Sequence, residues 1–421
     1  MRHRAGQFGR RLVRSQVDSP EWSVSGGTSR TVEVVATNAA GVAKFLVPDV
    51  VFGVGVLAEV GRAVRRQGGV NVFVVSDPRV AEAGWTAEVL GHLREAGLGA
   101  QLWDALTPNP KDHEVAAGCA AYLDSGCDVL VAVGGGSCID AAKAIAVLAS
   151  RGGAIADYAG VGRIDGPLPP AVMVPTTSGS GSDVSQFCVV TDTARRLKVT
   201  IGARALMPDI SVTDPRTLRT VPRDITAYTA VDVLSHGVEA YLSKAASFLT
   251  DEHALAAIRG VCEHLLPALD SPDDVCCREG LARASLQAGL AFTNALLGAT
   301  HAISHQLGGM TDLPHGLLNA ILLPHVMEFN ATVAAGRLAV VAAAMGLPTG
   351  LMTEAEAAGA AIQMVGELAA KAGLPGTLRQ LGVEWGDLPT VARNALDDAY
   401  IVTNPRPVSE ADARAICEAA W

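Results

Sequence analysis

The stretch DVLVAVGGGSCIDAAK, residues 128–143, is the part of the sequence that decides the fold. It begins with a short apolar run rich in valine, passes through three consecutive glycines, and continues with residues that favour a helix. A buried strand that leads through glycines into a helix is typical of a parallel sheet covered by helices. The stretch therefore predicts an α/β fold for this part of the chain.

The surrounding segments repeat this alternation from residue 33 to about residue 215. VNVFVVSD (70–77) and PAVMVPTT (170–177) read as further buried strands, and WTAEVLGHLREAG (85–97) reads as a helix, as does EVAAGCAAYLDSG (114–126). Short apolar strands separated by helices of this length indicate a parallel sheet with helices on both faces.

The pattern changes after Asp214 and Pro215, where strand-like runs stop. Apolar residues then recur with helical spacing in the segments 223–244, 251–269, 279–297, 316–346, 353–373 and 408–420. The sequence therefore predicts an α/β domain with a parallel sheet followed by an all-α domain. The predicted parts are a flexible N-terminal extension (1–32), the α/β domain (33–217) and the all-helical domain (218–421).

The composition excludes several classes of partner. The chain has 421 residues, of which 49% are hydrophobic and 18% charged, and this balance indicates a globular protein. Its formal net charge of −10 argues against nucleic acid, which needs a basic surface. No uninterrupted apolar run approaches the roughly 20 residues that span a bilayer, so no membrane partner is expected.

The cysteines and the N-terminus bear on location. The eight cysteines include no C-x-x-C pair, which favours reduced thiols. Residues 1–30 are basic but lack the apolar core of an export signal. We therefore expect a cytoplasmic protein whose first 30 residues are a flexible tail or the result of an upstream translation start. A transit peptide is the alternative, since the segment is rich in Arg and Ser.

Three loops of small residues are expected at the carboxyl edge of the predicted sheet. The loop 134–137 opens a helix, so its N–H groups and the helix dipole suit a pyrophosphate, although a glycine turn needs no ligand. Asp77 ends a strand, where its carboxylate can accept hydrogen bonds from a ribose diol or simply form the turn before Pro78. The third loop is VPTTSGSGSD (174–183). Together they predict a dinucleotide crevice, in which Asp77 would repel a 2′-phosphate and so favour NAD over NADP.

The predicted helical half concentrates potential metal ligands. Asp232 and His236 are four residues apart, as are His301 and His305, and residues at this spacing share one face of a helix. His315 follows at a loop-to-helix junction. One carboxylate and three imidazoles can complete a site for Zn²⁺ or Fe²⁺. Each pair can also be a surface or packing pair, and spacing alone leaves open which of the last three histidines bind a metal.

These ordered motifs resemble those of the iron-containing (group III) alcohol dehydrogenase family, from about residue 45 to the C-terminus. The matching stretches are VVFGVG (50–55), GGGSCIDAAK (134–143), VPTTSGSGSDVS (174–185), AVDVLSHGVEAY (230–241), THAISHQLGG (300–309), LPHGLLNAILLPHV (313–326) and TNPRPVSEADARAI (403–416). The resemblance implies an N-terminal dinucleotide-binding α/β domain, a helical C-terminal domain and a divalent metal in the cleft between them.

The resemblance also implies roles for individual residues. By motif position, the implied metal ligands are Asp232, His236, His301 and His315, and His305 is implied to lie on a proton path beside the substrate. The implied cofactor residues are the NAD-selecting acid Asp77, the pyrophosphate loop Gly135, Gly136 and Ser137, Asp140 near the nicotinamide, the cleft residues Thr176, Thr177 and Ser182, and Lys198 at a ribose.

The activity implied by the resemblance is hydride transfer between NAD(H) and an alcohol, aldehyde or ketone, with Fe²⁺ or Zn²⁺ bound. TSGSGSD (177–183) stands where the family commonly has TAGTGSE, a change that keeps the small and acidic character of the cofactor loop. Two other departures fall beside the implied substrate position and leave the substrate open: Gln306 replaces a frequent proline, and GGMTDLPHG (308–316) replaces a more aromatic run. A maleylacetate reductase-like or other oxo-acid or semialdehyde reductase remains an alternative, as does a relative that holds NAD tightly and uses another electron acceptor. A lyase of the dehydroquinate synthase type fits poorly. A homodimer or higher homo-oligomer is expected.

Overall fold

A six-stranded parallel sheet and a bundle of helices follow one another along the chain. The computed structural model describes residues 44–421, so the predicted extension (1–32) lies outside the described residues. The strands are β1 (Asp49–Phe52), β2 (Asn71–Val75), β3 (Gly99–Trp103), β4 (Val129–Gly134), β5 (Gly160–Val161), β6 (Ala171–Pro175), β7 (Phe187–Asp192), β8 (Leu197–Gly202) and β9 (Ile210–Thr213).

Thirteen α-helices accompany these strands in the described residues. They are α1 (Val60–Arg66), α2 (Pro78–Glu82), α3 (Trp85–Glu95), α4 (Asp112–Ser125), α5 (Gly136–Arg151), α6 (Arg223–Leu242), α7 (Phe248–Asp270), α8 (Val275–Ala295), α9 (Ala299–Thr311), α10 (His315–Ala344), α11 (Glu354–Lys371), α12 (Leu388–Ala395) and α13 (Glu410–Ala420).

The large sheet has the strand order β1-β9-β6-β4-β2-β3, and every pair in it is parallel. Its core strand β4 is buried along its whole length, as the run VLVAVG requires. One apolar cluster packs α4 and α5 against one face, and another packs α1 and α3 against the other. The predicted doubly covered parallel sheet is confirmed.

The strand order reverses between β2 and β4, because β3 pairs with one side of β2 and β4 with the other. In open α/β sheets, ligands bind outside the carboxyl ends of the strands at such a reversal. Asp77 follows β2 and Gly135 follows β4, so two of the three predicted cofactor loops flank this point.

A small second sheet was not expected from the sequence. β7 and β8 form an antiparallel hairpin, and β5 adds to β8 in parallel. The hairpin lies between β6 and β9 in the chain, where alternation of strands and helices predicted only parallel strands. Its strand β8 contacts α9 of the helical half.

The helical half is built around α6, which is buried on almost all sides by α7, α8 and α10. The six helical segments predicted beyond residue 215 correspond to α6, α7, α8, α10, α11 and α13, and the residues from 218 onward contain no strand. Two more helices lie outside those six segments: the short α12, and α9, on which the spacing of His301 and His305 had indicated a helix. All eight cysteines are free thiols in the structure.

Helix α10 is long and apolar enough, by length and composition alone, to cross a membrane. The helix contains no long uninterrupted apolar run, because Asn319, Glu328 and Arg337 lie among its apolar residues. In this fold it contacts α6, α9 and α11, and Leu323 and Leu338 lie in the core of the helical half.

Candidate metal and cofactor site

The glycine loop after β4 is packed directly against the loop after β6. A Cβ on Gly135 would lie 3.1 Å from the Thr177 hydroxyl, and one on Gly136 would lie 2.6 Å from the Ser180 Cβ. Thr176 donates its N–H to the Gly134 carbonyl at 3.0 Å. Glycine is therefore required here by close approach of the two loops, at the N-terminus of α5 where an anion is favoured.

Asp77 has a structural role in addition to the predicted one. It is the N-cap of α2, and its Oδ1 accepts the N–H groups of Arg79 and Val80 at 2.9 and 3.1 Å. Its Oδ2 accepts the Cys138 thiol at 3.2 Å. The turn-forming role left open by the sequence is thus present, and the NAD-selecting role stays a prediction.

Asp140 and Lys143 of α5 hold the third of the predicted cofactor loops in place by hydrogen bonds. Asp140 accepts the Ser182 hydroxyl at 2.8 Å and the Val189 N–H at 3.1 Å. Lys143 is 2% exposed, and its ammonium donates to the carbonyls of Ser182, Ser185 and Phe187 at 2.7, 2.6 and 2.8 Å. In this structure the contacts of Asp140 are with the protein itself, and they position Ser182.

The Lys143→Met variant should lower the melting temperature by several degrees. It keeps the aliphatic stem but leaves three buried carbonyls without a donor, and each such group costs about 1–3 kcal/mol. Thermal unfolding of the variant and of the exposed control Lys371→Met measures this. Equal melting temperatures for wild type and Lys143→Met would contradict the assigned role.

The helical half brings three of the four predicted metal ligands together. Among the described residues, Asp232, His236 and His301 each offer a donor atom, and these atoms all lie within 4.8 Å of one another. All three residues are at least 95% buried. His315 is the first residue of α10, as its junction position predicted, and its ring centroid lies 5.1 Å from that of His301.

Glu239 fixes the orientation of His301, and sequence analysis did not identify it. Its Oε2 lies 2.6 Å from His301 Nδ1, and its two oxygens also accept the N–H groups of Gly298 and Thr300 at 3.1 and 2.7 Å. A proton on Nδ1 leaves the Nε2 lone pair, 3.8 Å from Asp232 Oδ1, available to a metal. The sequence did contain a signal for this residue. Glu239 lies seven residues, or two helical turns, after Asp232, so the two side chains share one face of α6.

His236 and His315 have the protonation that metal binding needs. Burial lowers the pKa of His236 to about 4, with the nearby carboxylate of Asp232 opposing this shift. Burial also lowers the pKa of His315, and the charges of Lys198 and the neighbouring imidazoles lower it further. Both rings are therefore neutral at pH 7, as a nitrogen ligand must be.

Asn319 links the ligands and was also missed by sequence analysis. Its Nδ2 lies 2.7 Å from Asp232 Oδ1, 3.0 Å from His301 Nε2 and 3.0 Å from His315 Nε2. It lies one helical turn after His315 on α10, so its amide reaches all three helices. Asn319 Oδ1 and His236 Nδ1 are buried without a hydrogen-bond partner.

These observations fit a divalent cation. Buried polar atoms without partners are rare in folded proteins, and two of them lie in this cluster. The donor set is one carboxylate and neutral imidazoles, which suits Fe²⁺ or Zn²⁺. The residues that would hold the ion are Asp232, His236, His301 and His315.

His305 lies beside the donor cluster and is oriented by a distant residue. Its Nδ1 is 2.8 Å from Asp398 Oδ2, and both side chains are 3% exposed. Its ring stacks on His315 with centroids 5.1 Å apart. Asp398 is 93 residues away in sequence, and no local pattern points to it.

Lys198, the residue predicted to lie at a ribose, is buried beside α9. It is on β8, and its ammonium donates to Asn109 Oδ1 at 2.8 Å. A Cβ on Gly308 of α9 would lie 3.3 Å from Lys198 Nζ, so this glycine leaves room for the lysine. Burial lowers the pKa of Lys198 to about 8, although Asp312 and Asp140 act in the opposite direction.

This lowered pKa predicts how stability depends on pH. Between the folded pKa of about 8 and the ordinary value of 10.5, the unfolded chain binds the proton and the folded chain does not. The free energy of unfolding contributed by this group therefore rises with pH across that window. The melting temperature of wild type minus that of Lys198→Met should increase from about pH 7.5 to about pH 9.5. A constant difference would refute the shift.

Known proteins match this chain over nearly all of its described length. The family model for iron-containing alcohol dehydrogenase matches residues 48–215, and the model for the C-terminal part of the Fe-containing alcohol dehydrogenase family matches residues 226–421. The chain is 40% identical to 1,3-propanediol dehydrogenase of Citrobacter freundii over 369 residues, which cover 87% of this chain and 95% of that one.

Two further comparisons agree with these matches. The chain is 36% identical to NAD-dependent methanol dehydrogenase of Bacillus methanolicus, over 87% of this chain and 97% of that one. The crystal structure of a 1,3-propanediol oxidoreductase superposes with a TM-score of 0.87 at 39% identity, covering 90% of this chain and 100% of the other. The chain therefore belongs to the iron-containing alcohol dehydrogenase family and is an oxidoreductase that acts on CH–OH groups.

Proposed function

We propose that this chain is an NAD(H)-linked dehydrogenase of a small alcohol, or a reductase of the matching aldehyde or ketone. In this proposal Asp232, His236, His301 and His315 hold one Fe²⁺ or Zn²⁺ ion. The observation that carries it is the buried cluster of carboxylate and imidazole donors, with His301 oriented by Glu239.

The cofactor part of the proposal is supported by the sheet edge. The loop after β4, with Gly135, Gly136 and Ser137, packs against the loop after β6, with Thr176, Thr177 and Ser182. Asp77 follows β2 on the other side of the point where the strand order reverses, and Asp140 is in α5 directly after the glycine loop. Parallel sheets bind dinucleotides at this position, with the pyrophosphate at a helix N-terminus. The relative named as NAD-dependent supports NAD as the cofactor.

A bound cation would supply a Lewis acid for the alcohol or carbonyl oxygen, and a nicotinamide would supply the acceptor or donor of hydride. The chain's own residues orient these groups and exclude water. Glu239 keeps the proton on His301 Nδ1. Asp398 keeps a proton on His305 Nδ1, so that His305 Nε2 is free to exchange the alcohol proton with solvent. Burial of the cluster strengthens each of these interactions.

The substrate class follows from the relatives, which are named for 1,3-propanediol and methanol. We therefore place small primary alcohols and their aldehydes first. Oxo-acids and semialdehydes come second, because Gln306 departs from the family pattern beside the substrate.

The test is a metal add-back assay with a substrate panel. Protein stripped with a chelator is reloaded with Fe²⁺ without oxygen, or with Zn²⁺, and NADH absorbance is followed with alcohols, aldehydes, ketones and semialdehydes. The expected result is turnover that needs the metal, with NAD(H) preferred over NADP(H). Turnover of the stripped protein would point to a metal-independent reductase, and product formation without net NADH change would point to a lyase.

The remaining assignments complete the proposal. We assign the α/β domain to residues 33–217 and the all-helical domain to residues 218–421, supported by the two family-model matches on either side of this boundary. A cytoplasmic homodimer or higher homo-oligomer is the expected form, in line with the free cysteines.

A further inference from the structure

The chain makes a strained turn immediately before α9, the helix that carries His301 and His305. Leu296 links α8 to α9 with φ and ψ values of 62° and −173°. This combination is almost restricted to glycine, because a Cβ crowds the backbone there. Such conformations persist only where the surrounding structure holds them, and they cluster at functional sites. The contacts that hold the start of α9 therefore bear on where its histidines lie.

The first turn of α9 is held by side chains from two other parts of the chain. A helix N-terminus leaves N–H groups without partners inside the helix. Glu239 accepts those of Gly298 and Thr300, and the N–H of Ala299, between them, donates to Asn404 Oδ1 at 3.2 Å. A Cβ on Gly298 would lie 2.8 Å from Asn404 Oδ1 and 3.0 Å from Glu239 Oε1. The two acceptors thus converge on the start of the helix.

The side chain of Asn404 is itself fixed by a reciprocal amide pair with Asn330 of α10. Its Nδ2 donates to Asn330 Oδ1 at 2.8 Å, and its Oδ1 accepts from Asn330 Nδ2 at 3.1 Å. The same Nδ2 donates to the Arg406 carbonyl at 2.7 Å. Both asparagines are 1% exposed. Because both amide hydrogens of Asn404 are used and its oxygen accepts twice, the side chain is held in one orientation.

Thr403 adds a second bond from the same short segment, which lies between α12 and α13 and also contains Asp398. The Thr403 hydroxyl donates to the Leu297 carbonyl, just before α9, at 2.6 Å. Asp398 contacts the ring of His305, in the second turn of the helix, at 2.8 Å. His301 is the third residue of α9 and lies between these two points. A shift of the helix that moved His301 would therefore break bonds to this segment.

We propose that Asn404 and its neighbour Thr403 are positioning residues for the metal site, which keep His301 in place by holding the start of α9. Glu239 orients the imidazole ring, whereas Asn404 and Thr403 set the position of the helix that carries it. The proposal rests on the proposed function, since it needs a cation held by His301. Ligand atoms must stay within about 0.5 Å of their productive positions, so release of the helix end should weaken metal binding and change its geometry.

Two variants remove the bonds one at a time. Asn404→Ala takes the acceptor from the Ala299 N–H. Thr403→Val removes the bond to Leu297 but keeps the shape of the side chain, so it decides the matter if Asn404→Ala does not fold. Thr403→Ser is the conservative variant that keeps the hydroxyl. Thr353→Ala is the matched control, because it also removes a helix cap, at the start of α11.

The experiment measures metal affinity by chelator competition and the visible absorption spectrum of the Co²⁺-loaded protein, which reports the geometry of the ligands. We expect Asn404→Ala to weaken metal binding about tenfold, the lower end of the effect of losing a partner that supports a ligand. Thr403→Val should weaken it about threefold, as for one neutral hydrogen bond. Both should shift the Co²⁺ spectrum, and Thr403→Ser and Thr353→Ala should retain the affinity and spectrum of wild type.

A folded variant, Asn404→Ala or Thr403→Val, with the metal affinity and Co²⁺ spectrum of wild type would overturn the inference. An equal loss of affinity in Thr353→Ala would overturn it too, because general loss of stability would then explain the effect. If the wild-type protein itself binds no metal, the proposed function fails and the inference fails with it. Tight binding by wild type that neither variant alters overturns the inference alone.

Discussion

The His301→Ala variant should lose its metal and its turnover together. His301 is 1% exposed, belongs to the donor cluster with Asp232 and His236, and has its Nε2 freed by the bond from Nδ1 to Glu239. Alanine removes this donor and leaves only Asp232, His236 and His315 of the four proposed ligands. We expect metal content to fall from stoichiometric to trace levels and the dehydrogenase rate to fall to background.

The matched control is His325→Ala, which removes a histidine from α10 that is outside the cluster. It should retain metal and activity. Metal content is measured by elemental analysis after gel filtration, and circular dichroism checks that both variants are folded. Stoichiometric metal and a normal rate in His301→Ala would remove this histidine from the metal site.

The Glu239→Gln variant should weaken metal binding by about 10- to 100-fold, the usual cost of losing a partner that orients a histidine ligand. Glu239 accepts three hydrogen bonds, from His301 Nδ1 and from two N–H groups at the start of α9. Burial acts to raise the pKa of Glu239, but the hydrogen bonds from His301 and Thr300 lower it overall, so the group is ionised. The amide of glutamine keeps the shape of the side chain, but its NH₂ group would face N–H groups that now donate to a carboxylate oxygen of Glu239.

The control for this variant is Glu328→Gln, an exposed carboxylate on α10. Metal affinity is measured by competition with a chelator of known strength, and activity is measured again at saturating metal. Recovery of activity at high metal would agree with an orienting role. Metal affinity equal to that of wild type would refute the role assigned to Glu239.

Much of the fold could be predicted from the sequence because the signals are local. The valine-rich run of β4 and the glycines after it predict a buried strand, a turn and a helix within one short segment. The long helices of the second half show regular apolar spacing. The hairpin of β7 and β8 could not be predicted in this way, since its strands resemble the parallel ones and its pairing depends on contacts with α5 and α9.

The site residues also differ in whether a local sequence pattern could identify them. Asp232 and His236 share a helical face, and the histidines of α9 do the same, so their spacing made them candidate metal ligands. Spacing left open which of His301, His305 and His315 bind, and that choice came from the family resemblance. Asp398 contacts His305 from 93 residues away, and only the folded chain reveals this pair. Asp77 shows the opposite case, in which the simple turn-forming role is present whether or not a ribose binds.

The most direct test of this account is an anomalous-scattering map from crystals of the metal-loaded protein, recorded at the absorption edge of that metal. We predict a single strong peak in each chain, within direct bonding distance of side-chain atoms of Asp232, His236, His301 and His315. A map with no peak there, or with its peak elsewhere in the protein, would contradict the account.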